Sequence, residues 1–432
     1  MPIATTCPNC TTELPADDRF PVWCHACEWN LVPPRPKPDG SAKERRKAAR
    51  NRAREERREQ VARRRAERLY HALERGDGPG ADRNWLIAAA LAGVVHLVTV
   101  TVVLGSLWLV VTGTLPMRLV GCLGLLIGFL LRPRFGRIRT DDSFLTRAQA
   151  PQLYALADRV ATAVGGRPVD RIRVTGSFNA SFGRFGLRRR GVLEIGLPLW
   201  AVLSAPERVA LLGHELGHDV NGDHRRGLWL HSAVAAVREW HLLTLDDETP
   251  AEDGLVNLVQ ALLLVPRLLL QVLTERLLFL LDRLTSRSGQ GAEYRADLLA
   301  ATVASPAAAR GMLAALLLEP TAEAAVVRIR SRSRLRTSRP GRDGGEAVVE
   351  LWTELAGLAG GLTPRERERR LRLGAHEFAA VDSTHPPTHL RIALLDRPVE
   401  PRPVAFGRIE QEKVEAELAP ARARVGERLL DG

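Results

Sequence analysis

Apolar positions follow three patterns along this chain. Residues 84–117 contain no Asp, Glu, Lys or Arg. The run from residue 85 to 109 is longer than the roughly 20 apolar residues that span a bilayer core. Gly113 and Pro116 mark a turn, and residues 119–131 are apolar again. Counted from Leu115, with Arg118 snorkelling, the second stretch just reaches spanning length. A transmembrane helical hairpin is therefore expected over 85–131; a helical hairpin buried in a soluble core is the competing reading. It starts too far into the chain, and is too long, to be a signal peptide. His96 within it reads as a packed or hydrogen-bonded residue. The second pattern is alternation. Residues 171–174, 182–185 and 191–196 read as short strands of a small sheet, and an edge strand there could pair with an extended peptide. The third pattern is helical. Ser204-Ala205-Pro206-Glu207 reads as a capping box with Pro in the first turn, opening an amphipathic helix over 208–218.

Further on, residues 227–237 and 254–266 are uncharged and residues 268–281 are rich in Leu. Arg238, Glu239, Arg267 and Glu275 interrupt them. Long amphipathic helices lying on a protein or membrane surface fit this insert, 227–284, better than a second full hairpin. The Arg-Ser run over 328–339 reads as an exposed loop. A charged helix over 410–418 falls in a tail, 398–432, without visible chemistry.

Aromatics make up 5% of the 432 residues, so any core is aliphatic. Only Lys37, Lys43, Lys47 and Lys413 are lysines among 62 basic residues. That skew points to a GC-rich bacterial coding sequence. The net charge is +12, and residues 43–68 hold 13 basic and 5 acidic residues of it. This run lacks interleaved aromatics for base stacking, so no nucleic-acid partner is expected. Placed before the hairpin, it works as a cytoplasmic flank. Arg132, Arg134, Arg137 and Arg139 follow the hairpin, whereas its connecting loop has only Arg118. The positive-inside rule puts both ends in the cytoplasm. A multi-pass protein of the bacterial cell membrane is expected, with the lipid bilayer as a partner.

Cys7-Pro-Asn-Cys10 and Cys24-His-Ala-Cys27 are two Cys-x-x-Cys knuckles with 13 residues between them. Four thiolates so placed can surround one structural Zn²⁺, and the metal supplies folding energy that about 30 residues lack. Residues 1–32 are read as a zinc ribbon that recruits a partner or substrate. A redox pair is disfavoured, because no βαβ pattern surrounds either knuckle. A Pro-rich linker and the basic helix fill residues 33–84. Cys122 lies in the second apolar stretch and reads as a filler.

The helix opened at Ser204 carries His214-Glu215-Leu-Gly-His218. Residues i and i+4 share a helix face, so both histidines can reach one metal. Glu215 then sits where it can take a proton from water activated there. Gly213 and Gly217 allow close packing. A catalytic Zn²⁺ wants a third protein ligand and an open position. His224 would complete a metzincin spacing, with Asn221 where Gly is usual. Glu293, heading Glu293-Tyr-Arg-Ala-Asp297 on a helical pattern, is preferred. Metzincins need a Met-turn, and none of Met1, Met117 and Met312 has that context.

With the preceding hairpin and the late His385-Pro, these motifs resemble the HtpX and CAAX-prenyl-protease family of membrane zinc metallopeptidases. The resemblance covers roughly residues 85–397. It implies Glu293 as third ligand and Asp297 as a hydrogen-bond partner of a ligand histidine. It also implies Asn179-Ala180 near a substrate-binding edge strand, and His385 as a helper at the oxyanion. The expected fold is mostly α with a small β-sheet, an α+β zincin-like peptidase domain over 140–397. The expected function is a membrane-anchored zinc endopeptidase, catalytic domain in the cytoplasm, acting on protein or peptide substrates in membrane-protein quality control. It would carry one catalytic and one structural Zn²⁺. A catalytically silent zinc-binding membrane scaffold is the alternative. An intramembrane protease is disfavoured by charges close to the motif, among them Arg208, Asp219 and Asp223.

Overall fold

The computed structural model describes residues 6–14, 19–32, 41–75, 83–130, 141–186, 189–220, 223–245, 254–337, 344–376 and 385–431. Helix α1 (Ala42–Glu74) opens on a reciprocal cap. The Ser41 hydroxyl accepts from the Glu44 N–H, and the Glu44 carboxylate accepts from the Ser41 N–H. Among its described side chains, those buried are Ala66 and Leu69, toward its far end.

Helices α2 (Arg83–Thr112) and α3 (Leu115–Leu130) fold back on each other through Gly113 and Thr114. A stripe of small residues sets their separation. A Cβ on Gly124 would sit 2.1 Å from Ser106 Oγ, and one on Gly128 2.6 Å from Val103 Cγ2. Gly121 meets the Ser106 carbonyl at 2.7 Å in the same way. Glycine lets the two backbones approach where any side chain would hold them apart. Among the described residues, one helix is long and apolar enough to cross a bilayer: α2 over Asn84–Thr112, mean hydropathy 2.4. The second arm is apolar but, at 16 residues, shorter than expected for a crossing.

The sheet combines β1 (Phe144–Leu145), β2 (Arg171–Thr175), β3 (Ala180–Phe185) and β4 (Arg190–Gly196) in the order β1-β2-β4-β3. β2 runs parallel to β4, and the other two pairs are antiparallel. Ile172 pairs with Leu193 and Val174 with Ile195, and all four are buried. They pack on Leu153, Leu156 and Val160 of α4 (Pro151–Ala163). The alternation in β2 is thus one buried face, whereas β4 also buries Val192 on its other side. β1 has two residues, too few to show a period. After the short α5 (Leu197–Val202) comes α6 (Ala205–Val220), with Leu212 and Leu216 in the same core. Only half the expected cap forms there. Glu207 accepts from the Ser204 N–H, but the Ser204 hydroxyl donates to Glu207 instead of accepting from the helix.

Helices α7 (Asp223–Leu242) and α8 (Gly254–Val303) form the insert. α8 runs unbroken for 50 residues, with Pro266 inside it. Both pack against α2 through a cluster that includes Ala88, Ala92, Ala233, Val237 and Leu281. His96 is held there, its Nε2 3.1 Å from the Trp229 carbonyl and 3.2 Å from Ser232 Oγ. On the outside of α8, Val265, Leu269, Leu273 and Phe279 are exposed.

The remaining helices are α9 (Pro306–Leu316), α10 (Glu319–Thr337), α11 (Gly344–Gly357), α12 (Pro364–His376), α13 (Thr388–Leu394) and α14 (Arg408–Asp431). The loop expected over 328–339 is instead the end of α10 as far as Thr337; residues 338 and 339 lie outside the described residues. Four of its arginines have partners on neighbouring helices. Arg328 pairs with Glu354 and Arg332 with Glu350 on α11. Arg330 and Arg334 donate to the carbonyls of Leu429 and Asp431 at the end of α14, where the helix dipole favours cations. The charged helix of the tail runs on to Asp431 and buries Val414, Leu418 and Val425 in the main core.

Candidate active site

The site forms where α6 and α8 touch most closely. A Cβ on Gly213 would meet Val303 Cγ2 at 2.4 Å and Ala300 Cα at 3.1 Å. One on Gly217 would meet Ala296 Cα at 3.4 Å. Two glycines one turn apart therefore lie against two alanines one turn apart. The same spacing brings Glu293 and Asp297 onto the face of α8 that looks at His214 and His218.

His214 Nε2 and His218 Nε2 are 3.3 Å apart. Glu293 Oε1 is 3.3 Å from His218 Nε2, and Oε2 is 3.5 Å from His214 Nε2. Tetrahedral ligands at the usual zinc–nitrogen and zinc–oxygen bond lengths stand about 3.3–3.4 Å apart. The three donors fit such an ion. Glu293 is buried, and its Oε2 is faced by nitrogen atoms of His214, His385 and Arg391 at 3.5, 3.0 and 3.3 Å. His224 lies in the first turn of α7, and its side chain is outside the described residues.

Asp297 is fully buried, and its Oδ1 lies 3.0 Å from His214 Nδ1. That contact leaves Nε2 of the same ring facing the other donors. The sequence reading missed the cation beneath this pair. Arg391, buried on α13, donates from Nε and Nη2 to the two carboxylate oxygens of Asp297 at 2.8 and 2.7 Å. Its Nη2 is also 3.3 Å from Glu293 Oε2. One arginine set among Leu390, Ile392 and Leu394 was the available signal, since a charge amid core positions needs a buried partner.

Electrostatics follow from the burial. Desolvation works against an ionised Glu293, yet the three histidines around it hold its carboxyl well below the usual range. Asp297 is likewise pulled down against its burial by Arg391 and His214. Burial disfavours a charged His214, but Asp297 and Glu293 outweigh it and raise the imidazole. Glu215 is buried beside the donors without being one of them, and desolvation pushes its carboxyl up. The resting charge therefore sits on Glu293 and Asp297, and Glu215 is left as the more basic carboxylate.

His385 reaches the same place from another direction, with Nδ1 3.0 Å from Glu293 Oε2. Its side chain is 52% exposed, so it stands on the open side of the cluster. Ala180 begins β3, an edge strand that lies against α6. The Asn179 carbonyl accepts from the Gly196 N–H at 2.8 Å. Arg184 on β3 donates from Nε to Asp219 at 2.7 Å, tying the strand to the end of the histidine helix.

The cysteines form a second cluster. All four Sγ atoms lie within 4.8 Å of one another, with Cys7–Cys27 and Cys10–Cys24 each at 3.5 Å. Tetrahedral thiolates on zinc stand about 3.8 Å apart. The same turn is built twice. The N–H of Thr11 donates to the Cys7 carbonyl and that of Glu28 to the Cys24 carbonyl, and both residues have φ near +60°. The two repeats face each other across the sulfur atoms.

No curated protein and no solved structure matches the chain significantly. The sequence profile of peptidase family M48 does match, over residues 148–399, a span that holds strands β2 to β4, the His214–His218 helix, Glu293, His385 and Arg391. The chain belongs to peptidase family M48, a family of metallopeptidases.

Proposed function

We propose that the chain is a membrane-anchored zinc endopeptidase, with His214, His218 and Glu293 as metal ligands and Glu215 as general base. The convergence of three donor atoms beside a buried, non-ligating glutamate supports this reading most directly. A zinc ion bound there supplies Lewis-acid polarisation of the scissile carbonyl and lowers the pKa of water to about 7. Asp297 fixes the His214 ring through Nδ1, and Arg391 keeps Asp297 ionised. Glu215 takes the proton from the attacking water and hands it to the leaving amine. Its raised basicity suits the first transfer. His385 stands within reach of an oxyanion on the exposed side of the cluster. The substrate backbone pairs with the edge strand β3 near Asn179 and Ala180.

The same proposal places α2 and α3 in the bacterial cell membrane as a hairpin, with the peptidase in the cytoplasm beside membrane-protein substrates. Support comes from the apolar, mostly exposed surface of α2 and from the arginines on both flanks of the hairpin. A second metal, zinc on the four cysteines, belongs to this reading as a structural ion.

Glu215→Gln tests the mechanism. The amide keeps the shape and removes the base. Metal content should stay at the wild-type level while hydrolysis of a casein-type substrate drops by roughly 10²–10⁴-fold. Activity above about a tenth of wild type would contradict general-base catalysis by this residue.

A further inference from the structure

The cysteine module docks on the peptidase at α12, the helix that precedes His385 and Arg391 in the chain. Its contacts are with α12. The Arg372 Nη1 donates to the His25 carbonyl at 2.7 Å and lies 3.4 Å from Glu28 Oε1. His376 Nε2 is 2.9 Å from Glu28 Oε2. Arg365 donates to the Trp23 carbonyl. The guanidinium groups of Arg365 and Arg372 lie 5.6 and 5.4 Å from the centre of the Trp23 ring. That ring is only 2% exposed. Trp23, His25 and Glu28 interleave with Cys24 and Cys27, so the knuckle that would hold the metal is the surface that grips the helix.

Placement makes this contact consequential. α12 ends at His376, and the chain is next described at His385, beside Glu293; Arg391 follows on α13. The far side of that segment is held from the N-terminal region too. Leu69 of α1 packs with Tyr294 and Leu394, and Arg397 donates to the Leu73 carbonyl at 2.7 Å. The N-terminal region therefore touches the polypeptide on both sides of His385 and Arg391.

We infer that the Cys24–Cys27 knuckle is a metal-dependent clasp on α12, so that the metal state of the cysteine module controls the peptidase centre in cis. The reason is conformational. Glu28 holds φ +58° through its N–H bond to the Cys24 carbonyl. A non-glycine residue stays in that region only where its surroundings fix it. Without the ion, about 26 residues have too little core to keep the turn. Trp23 and Glu28 then leave their arginines, and α12 loses its brace. The clasp rests on the peptidase reading above only for its catalytic consequence.

The test uses the full chain in detergent, with amide exchange over residues 364–376 and 388–394 beside kcat/KM. Cys24→Ser empties the knuckle. Arg372→Glu breaks the clasp while leaving the four thiols intact. Each should speed exchange in both segments by roughly tenfold and lower kcat/KM by roughly fivefold, with metal at His214, His218 and Glu293 retained. The charge swap Glu28→Arg with Arg372→Glu should recover most of the protection. Unchanged exchange after Cys24→Ser, or faster exchange with kcat/KM intact, overturns the clasp. A wild-type chain that hydrolyses nothing would sink the peptidase reading instead, and the exchange arm would still decide the clasp.

Discussion

Asp297 makes two demands that no other residue meets. It must hold the Nδ1 edge of His214, and it must neutralise Arg391 where both groups are buried. Asn at this position keeps the size but not the charge. Asp297→Asn is therefore expected to weaken metal binding at the histidine site by about 10–100-fold, the usual effect of losing a partner behind a ligand histidine. Competition with a coloured chelator would read it, and full affinity in the variant would refute the role. Arg391→Lys tests the other half of the pair. A lysine keeps the charge but cannot fork onto both oxygens of Asp297, so it should lie between wild type and Asp297→Asn in metal affinity. His214, Glu215 and His218 were legible as candidates because their spacing on one helix puts two imidazoles on one face, whereas Glu293, on a second helix, was reached through its own Glu-x-x-x-Asp pattern and the family resemblance. Arg391 was hidden because its meaning depends on a partner 94 residues away.

At the scale of elements, the glycines of α6 decide how near α8 can come. Gly213→Leu would drive a side chain into Val303 and Ala300. Overpacking of this kind costs about 1–3 kcal/mol. It would also push Glu293 away from the histidines, so metal loss should accompany destabilisation. Gly165→Ala, where no atom stands within 4 Å of the new Cβ but φ is +84°, separates the two effects. It should lower stability through backbone strain alone and leave metal binding intact. The choice of third ligand belongs here too. Glu293→Ala should strip the histidine site, because two imidazoles alone hold zinc poorly, whereas His224→Ala should keep metal and most activity. The opposite pattern, zinc lost only without His224, would make the site metzincin-like. Strand alternation was readable in β2 because its burial alternates along the strand, whereas α6, buried throughout Val209–Gly217, was legible through its motif rather than through one apolar face. The end of α10 was not, since its arginines look like a solvated run until α11 and the C-terminus of α14 arrive to receive them.

For the whole molecule the question is which surfaces face lipid. α2 buries only 22% of its most apolar window within the protein, and the outer side of α8 adds Val265, Leu269 and Leu273 to the exposed apolar surface. Water does not favour so much uncovered hydrocarbon on one side of a chain. Under the membrane-anchored reading proposed above, a bilayer would cover it and the arginine flanks would orient it. The turn at Gly113 and Thr114 should then lie outside the cell and the cysteine module inside. In a Cys122→Ser background, Thr114→Cys should react with a membrane-impermeant maleimide on intact, outer-membrane-permeabilised cells. Cys7, Cys10, Cys24 and Cys27 should react only after the inner membrane is opened and the metal chelated. Labelling of Thr114→Cys only after lysis would place the α2–α3 turn on the cytoplasmic side or inside a soluble core. That result would remove the membrane anchor while leaving the metal site, which is built from α6, α8 and α13, untouched.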